Sequence, residues 1–378
     1  MEAQVCVVGV GESRHGHVPG ATAEELMVEA ALAALDDAGL APRDVDGLWS
    51  TSAAHFLPTM TLAEHLGLRP RYSDSTSLGG ASFVAYLGHI QGVIAAGLCE
   101  VALVAYGSVQ RTATGRLVSR SEQSPFEAPL GFRYPISGYA LAAARHMHDY
   151  GTTPEQLAAV AVAARRWAQR TPGAFVRTPL TLDDVAASPV VSTPLRVADC
   201  CLVTDGGAAF VVTSAARAAD TKNRGVPVLG TAHTSEHRDI SEMPDLTSTA
   251  ARVTGPAALR EAGLGVADID LCLLYDSFTI NVPLFLEDLG FCQKGEGGPF
   301  VADGGIAPGG ILPVNPNGGG LSYTHPGMLG AFLVVEAVRQ LRGEAGDRQV
   351  PGAAHALVHG CGGVLSSHAT AVLGAPEC

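Results

Sequence analysis

Leu35-Asp36-Asp37-Ala38-Gly39-Leu40 returns 224 residues later as Leu259-Arg260-Glu261-Ala262-Gly263-Leu264. Each hexapeptide reads as the last turn of a helix closed by a glycine. The same offset carries Asp44-Val45-Asp46 onto Asp268-Ile269-Asp270, and both then run into apolar strands, at Leu48 and Leu271. A second pair follows in the same order. Gly79-Gly80 opens an apolar helix to about residue 96, followed by a strand at 101–105; Gly319-Gly320 opens a helix to about residue 341, followed by a strand at 356–359. Two matches in one order mark an internal duplication. Helix, strand, helix, strand in each half predicts an α/β protein of two similar halves with mixed, mostly parallel buried sheets. We place the halves at residues 1–225 and 226–378. Residues from about 108 to 190 have no counterpart in the second half. Within them 138–150 and 154–169 read as alanine-rich helices, a helical insertion.

Composition narrows the function classes. Of 378 residues 47% are hydrophobic and 16% charged, which predicts a large core. The net charge of −13 argues against nucleic acid and anionic membrane as partners, since both require clustered Lys and Arg. The eight cysteines form no C-x-x-C pair, and several lie in apolar runs such as Val5-Cys6-Val7, so they read as packed, reduced thiols. His146-Met147-His148 falls on a predicted helix, where alternate side chains diverge, so no metal site is expected. No signal peptide or membrane-length apolar span is read, and a cytoplasmic protein is expected.

The richest chemistry is in residues 315–330, NPNGGGLSYTHPGMLG, taken with Tyr275-Asp276-Ser277-Phe278. Glycines admit backbone N–H groups close to a ligand, and a following helix N-terminus favours negative charge. That pairing suits a reaction in which an oxyanion develops. Gly-Gly followed by His-Pro-Gly ahead of a helix resembles the GHP signature of the thiolase superfamily. GFCQKGEGG at 290–298, LPVNPNGGGLS at 312–322 and EAVRQLRGEAGDRQV at 336–350 resemble its lipid-transfer-protein and sterol-carrier branch. The likeness spans nearly the whole chain. It implies the layered αβαβα thiolase fold with the active site between the halves, and makes the insertion a loop domain covering substrate.

The resemblance can be carried over residue by residue. Thiolases hold a nucleophilic cysteine at the N-terminus of the first-half helix, where the dipole lowers the thiol pKa. Here that place is Gly80 or its neighbour in Ser77-Leu78-Gly79-Gly80-Ala81-Ser82. Ser82 is nearby, but a serine needs an adjacent base to attack. Tyr275 stands where a His or Asn begins the second motif, and His325 holds the GHP position, with expected hydrogen bonding to a thioester or enolate oxygen. Tyr323 lies two residues before His325, and in extended chain that spacing puts both on one side. The last motif reads His359-Gly360-Cys361-Gly362-Gly363, with His359 aligned to the family's general-base cysteine and Cys361 displaced by two. Gly80, Ser82, Gly319, Gly320 and Gly362 are the candidates for the oxyanion and substrate-binding positions.

Two tyrosines gained and two cysteines lost resemble the thiolase-like aldolases of steroid side-chain degradation. The implied reaction is retro-aldol cleavage of a β-hydroxyacyl-CoA to a ketone and acetyl-CoA or propionyl-CoA. A tertiary hydroxyl cannot be oxidised to a ketone, so an acid/base pair and an oxyanion site are needed and a nucleophile is not. One of Tyr275 and Tyr323 would deprotonate the hydroxyl and the other protonate the enolate carbon. No cofactor is implied beyond coenzyme A as part of the substrate. The resemblance further implies a homodimer, and a small OB-fold, zinc-ribbon partner protein completing a heterotetramer. The alternatives are an acyl-CoA thiolase or acetyltransferase, acting through Ser82 or a displaced cysteine, and a non-catalytic acyl-CoA- or lipid-binding subunit.

Overall fold

The computed structural model describes residues 4–52, 55–114 and 124–376; residues 115–123 of the predicted insertion lie outside the described residues. Eleven strands are present among them: β1 (Val5–Glu12), β2 (Gly47–Trp49), β3 (Tyr72–Asp74), β4 (Val101–Ser108), β5 (Val190–Ser192), β6 (Leu195–Arg196), β7 (Gly206–Ser214), β8 (Val226–Ser235), β9 (Leu271–Leu274), β10 (His355–Gly362) and β11 (Ser367–Gly374). Nine of them form one sheet in the order β3-β2-β4-β7-β1-β8-β11-β10-β9, and β5 and β6 pair separately.

That order contains the duplication. β2-β4-β7-β1 in the first half is matched by β9-β10-β11-β8 in the second. In each set the first pair is parallel and the next two are antiparallel. β1 and β8 then meet antiparallel at the centre. The local chemistry repeats too. Helix Ala23–Ala38 ends at Gly39 with φ 72°, and helix Ala251–Ala262 at Gly263 with φ 70°, left-handed caps that glycine adopts without strain. A Cβ on Gly9 of β1 would lie 2.1 Å from the Ala34 carbonyl oxygen, and one on Gly230 of β8 2.2 Å from that of Ala258, so each strand uses a glycine to seat its helix. Ala34 and Ala258 are again 224 residues apart.

The sheet is mixed, as the sequence suggests, but the parallel majority is not what the connections build. Parallel pairing is confined to β2–β3, β2–β4 and β9–β10, where helical crossovers join the strands. β11 follows β10 by a tight turn, and β7 returns after the insertion, so both run antiparallel to their neighbours. The insertion is helical as expected, with helices Ile136–Tyr150, Pro154–Ala168 and Leu182–Ala187.

Helices Ser82–Ala95 and Gly330–Leu341 each pack on strands of both halves and on each other. Their N-termini touch so closely that a Cβ on Gly330 would sit 2.0 Å from the Gly80 carbonyl oxygen. The second helix starts later than read from sequence. Gly319–Tyr323 is a separate short π-helical turn, and the helix proper begins at Gly330. No helix among the described residues is long and apolar enough to cross a membrane.

Candidate active site

Where the two helix mouths meet, a cavity of about 710 Å³ opens under the insertion. Gly79, Gly80, Tyr275, His325, Cys361 and Gly362 line its floor; Phe132, Tyr134, Ile136 and Tyr139 of the insertion wall it. Such a largely apolar pocket with a few converging polar groups is the form a ligand site takes.

Each polar group is aimed by the loop beneath it. Asn315 closes on the end of β9, with Oδ1 accepting from Leu274 N–H and Nδ2 donating to Leu274 O, both at 2.8 Å. Asp276 is fully buried and accepts from Gly320 N–H at 2.7 Å and Leu321 N–H at 3.3 Å. Burial pushes its carboxyl up to about 7 against those hydrogen bonds. Asn281 donates to the Tyr275 carbonyl, fixing that residue's backbone. His325 N–H donates to Thr204 Oγ1 at 2.9 Å.

Tyr275 and His325 converge. Their rings stand edge to face with centroids 5.6 Å apart. The Tyr275 hydroxyl accepts from Leu329 N–H at 3.3 Å, at the mouth of helix Gly330–Leu341. Burial nevertheless drives its phenol well above the ordinary value, so Tyr275 is protonated at neutral pH. His325 is buried, and burial lowers its imidazole to about 4, keeping it neutral. Its Nε2 has no hydrogen-bond partner although it is enclosed. A buried, unpaired imidazole nitrogen on a cavity wall is an unmet demand for a ligand atom.

The place that the thiolase resemblance would give a nucleophile is filled by a ring. A Cβ on Gly80 would lie 2.1 Å from Tyr275 Cε2 and 2.7 Å from its hydroxyl oxygen. A cysteine at position 80 and Tyr275 in its present position exclude each other. Nor do other thiols substitute for it. Burial pushes Cys361 and Cys200 up to about 12, and raises Cys201 as well. All three line the cavity as neutral thiols.

Four sequence expectations are corrected. Tyr323 is not in the cavity: its hydroxyl donates to Glu12 Oε2 at 2.9 Å, beside Arg339, and its ring packs on His15. The π-helical turn ending at Tyr323 and the extended Thr324 send Tyr323 and His325 to opposite sides, which a uniformly extended chain would not. His359 is also outside, fully buried on β10 against Thr370 and His368 of β11, and Cys361 is the side chain of its motif that reaches the cavity. Strand alternation places Cys361 on the same face of β10 as His359, but only its end borders the opening. Ser82 is spent as a cap, its Oγ accepting from Leu78 N–H at 2.8 Å. Gly319 and Gly320 serve Asp276 instead of the cavity: Gly320 through its N–H, Gly319 because a Cβ there would strike Asp276 Oδ2 at 2.2 Å. Gly80 and Gly362 do line the cavity. Tyr139 and Glu127 also line it; the sequence reading missed both, since the insertion carries no motif or repeat to mark them.

Comparison with known proteins now adds ancestry to this geometry. Residues 232–375 match the Thiolase C-terminal domain-like family. A 17-hydroxy-3-oxo-4-pregnene-20-carboxyl-CoA lyase of Mycobacterium tuberculosis is 36% identical, over 97% of this chain and 98% of its own. The chain belongs to the thiolase superfamily. An acetyl-CoA acetyltransferase of Methanothermobacter thermautotrophicus is also 36% identical, over 95% of this chain and 96% of its own. A solved Ltp2-ChsH2(DUF35) aldolase superposes with a TM-score of 0.89 at 32% identity, covering 99% of this chain and 98% of that one. Overall identity therefore does not separate a lyase from a transferase.

Proposed function

We propose that the protein is an aldol-lyase that cleaves a tertiary β-hydroxyacyl-CoA, with a steroid side chain as the acyl class, to a ketone and acetyl-CoA or propionyl-CoA. The observation that carries this reading is the Tyr275 ring occupying the space that a nucleophile at position 80 would need. Near-full-length likeness to a steroid-CoA lyase and to a solved aldolase supports the substrate class.

The geometry also revises the chemistry. With Tyr323 outside the cavity, one phenol serves both proton transfers. The Leu329 N–H occupies one face of the Tyr275 oxygen and leaves the other for the substrate. The β-hydroxyl proton passes to that oxygen as the phenol's own proton moves to Cα. The Cα–Cβ bond breaks in the same step, its electron pair takes up that proton as the new Cα–H bond while negative charge develops transiently on the thioester oxygen, and the Cβ–O bond becomes the ketone. No phenolate is needed, which suits a phenol held protonated by burial. His325 Nε2, neutral and unpaired, donates to the enolate oxygen.

The reading includes a cytoplasmic homodimer of two-halved chains, divided at residues 225 and 226, joined by a small OB-fold, zinc-ribbon partner. The solved Ltp2-ChsH2(DUF35) aldolase supports the partner. Co-purified chain and partner are given a tertiary β-hydroxyacyl-CoA of a steroid side chain without free CoA, and in parallel a 3-ketoacyl-CoA with CoA. Ketone plus shortened acyl-CoA from the first, and no CoA consumption in the second, is the expected result. Turnover of the second alone restores the transferase, and silence in both favours a non-catalytic subunit.

A further inference from the structure

The mechanism leaves one deeply buried carboxylate of the cavity unused. Glu127 is 8% exposed and lines the cavity from a short turn of the insertion. Its Oε1 accepts from Ser241 N–H at 3.1 Å, the carboxylate's one hydrogen bond among the described residues. Ser241 belongs to the short helix Ile240–Glu242 of the second half, so Glu127 also ties the insertion to the opposite wall. It makes no hydrogen bond to Tyr275, His325 or Cys361. Its companions on the wall include Ala128, Phe132, Ile136 and Ile240, which offer no side-chain donor, and Gln110, Ser124 and Arg238, whose donors make no hydrogen bond to its carboxylate.

A carboxylate has two oxygens and about four acceptor sites, and the single Ser241 N–H leaves most of them turned to the cavity for a ligand's donor. It is an acceptor only. It rewards a hydroxyl and repels a carbonyl, whose oxygen would meet it lone pair to lone pair. We propose that Glu127 receives a hydroxyl that the acyl group carries on its ring system, apart from the hydroxyl at the scissile bond. The substrate class becomes a ring-hydroxylated polycyclic acyl-CoA in preference to its ring-oxo counterpart. This rests on the aldol-lyase reading, whose cavity and substrate it shares.

Binding tests it without needing turnover. The full chain with its partner is titrated with 17-hydroxy-20-carboxyl-CoA steroids bearing either a hydroxyl or an oxo group at ring positions 3, 7 or 12. A buried hydrogen bond to a charged group predicts that at one of these positions the hydroxyl form binds about 10- to 100-fold tighter. Glu127→Ala abolishes that preference and leaves the Kd of the oxo form within about 3-fold. Glu127→Gln, which keeps an acceptor for Ser241 N–H and adds an N–H donor, narrows the preference even if the alanine variant fails to fold. Equal affinities for both forms at all three positions overturn the proposal. A fall in kcat for both forms at unchanged Kd in Glu127→Gln also overturns it, by making Glu127 a base at the reacting centre. Hydroxyl preference without cleavage supports Glu127 while refuting the lyase; cleavage without preference does the reverse.

Discussion

The two halves bring the same device to the cavity, a helix mouth behind a glycine pair, and load it differently. In the first half Gly80 has no side chain and the Ser82 hydroxyl caps its own turn. In the second, Tyr275 and His325 stand over the mouth of helix Gly330–Leu341 with a free imidazole nitrogen between phenol and cavity. The empty mouth is what makes the loaded one work, because the Tyr275 ring enters the space that the first half leaves vacant. In the proposed mechanism a duplicated fold performs proton transfer in place of nucleophile chemistry, with a bare glycine in one half making room for a phenol from the other.

The largest way to break this comparison is to unload the second mouth. Tyr275→Phe removes the relay and lowers the cleavage rate by about 10²- to 10⁴-fold with folding intact, read by single-turnover product formation. His325→Ala removes the oxyanion donor, and about 10²- to 10³-fold is expected in kcat. Reloading the first mouth is the converse experiment. Gly80→Ala drives a methyl into the Tyr275 ring and costs about 1–3 kcal/mol of stability through overpacking, with activity falling alongside. Chemical denaturation and kcat measured on the same preparation check both effects.

A smaller effect sharpens the assignment of His359. Its Nδ1 meets Thr370 Oγ1 at 2.8 Å and its Nε2 meets His368 Nδ1 at 3.1 Å, while His368 Nε2 donates to the Leu365 carbonyl at 3.2 Å. A carbonyl only accepts, so His368 carries its proton on Nε2, His359 donates from Nε2, and Thr370 donates to His359. Both rings are neutral. Burial lowers His368 to about 4 and His359 well below its ordinary value. The folded pKa values lie below the unfolded 6.5, so their contribution is complete above pH 6.5 and is lost as pH falls from there toward 4. His325 has the same sign, and Asp276, raised to about 7, has the opposite one over pH 7 to 4. Three histidines against one carboxyl predict a net loss of stability from pH 6.5 to pH 5, of about 1–3 kcal/mol by urea denaturation. His368→Asn flattens that slope.

The smallest effect belongs to Tyr323. Tyr323→Phe removes a hydrogen bond to Glu12, whose burial is outweighed by the Arg339 guanidinium beside it, so the carboxylate stays charged. About 1–2 kcal/mol of stability is lost, and kcat changes less than about 10-fold. A collapse of kcat with unchanged stability would put Tyr323 back in the reaction.

The duplication was legible because its signals are local: Ala-Gly-Leu helix ends, Asp-x-Asp turns and the apolar strands after them. Tyr275 and His325 were legible because their motifs sit where strand ends and glycine loops must open. Tyr323 and His359 were misplaced for a shared reason. Which way a side chain faces beside a π-helical turn, or at a strand's rim, depends on backbone geometry that residue spacing does not encode. The packed, reduced thiols were legible from their apolar runs, whereas Glu127 was out of reach, since other segments of the chain set its burial.

The most direct test of the central claim is intact-protein mass spectrometry on enzyme quenched during turnover of the tertiary β-hydroxyacyl-CoA. An aldol-lyase leaves the chain unmodified while ketone and shortened acyl-CoA accumulate. An acyl adduct on Cys361, Cys201 or Ser82 would contradict it.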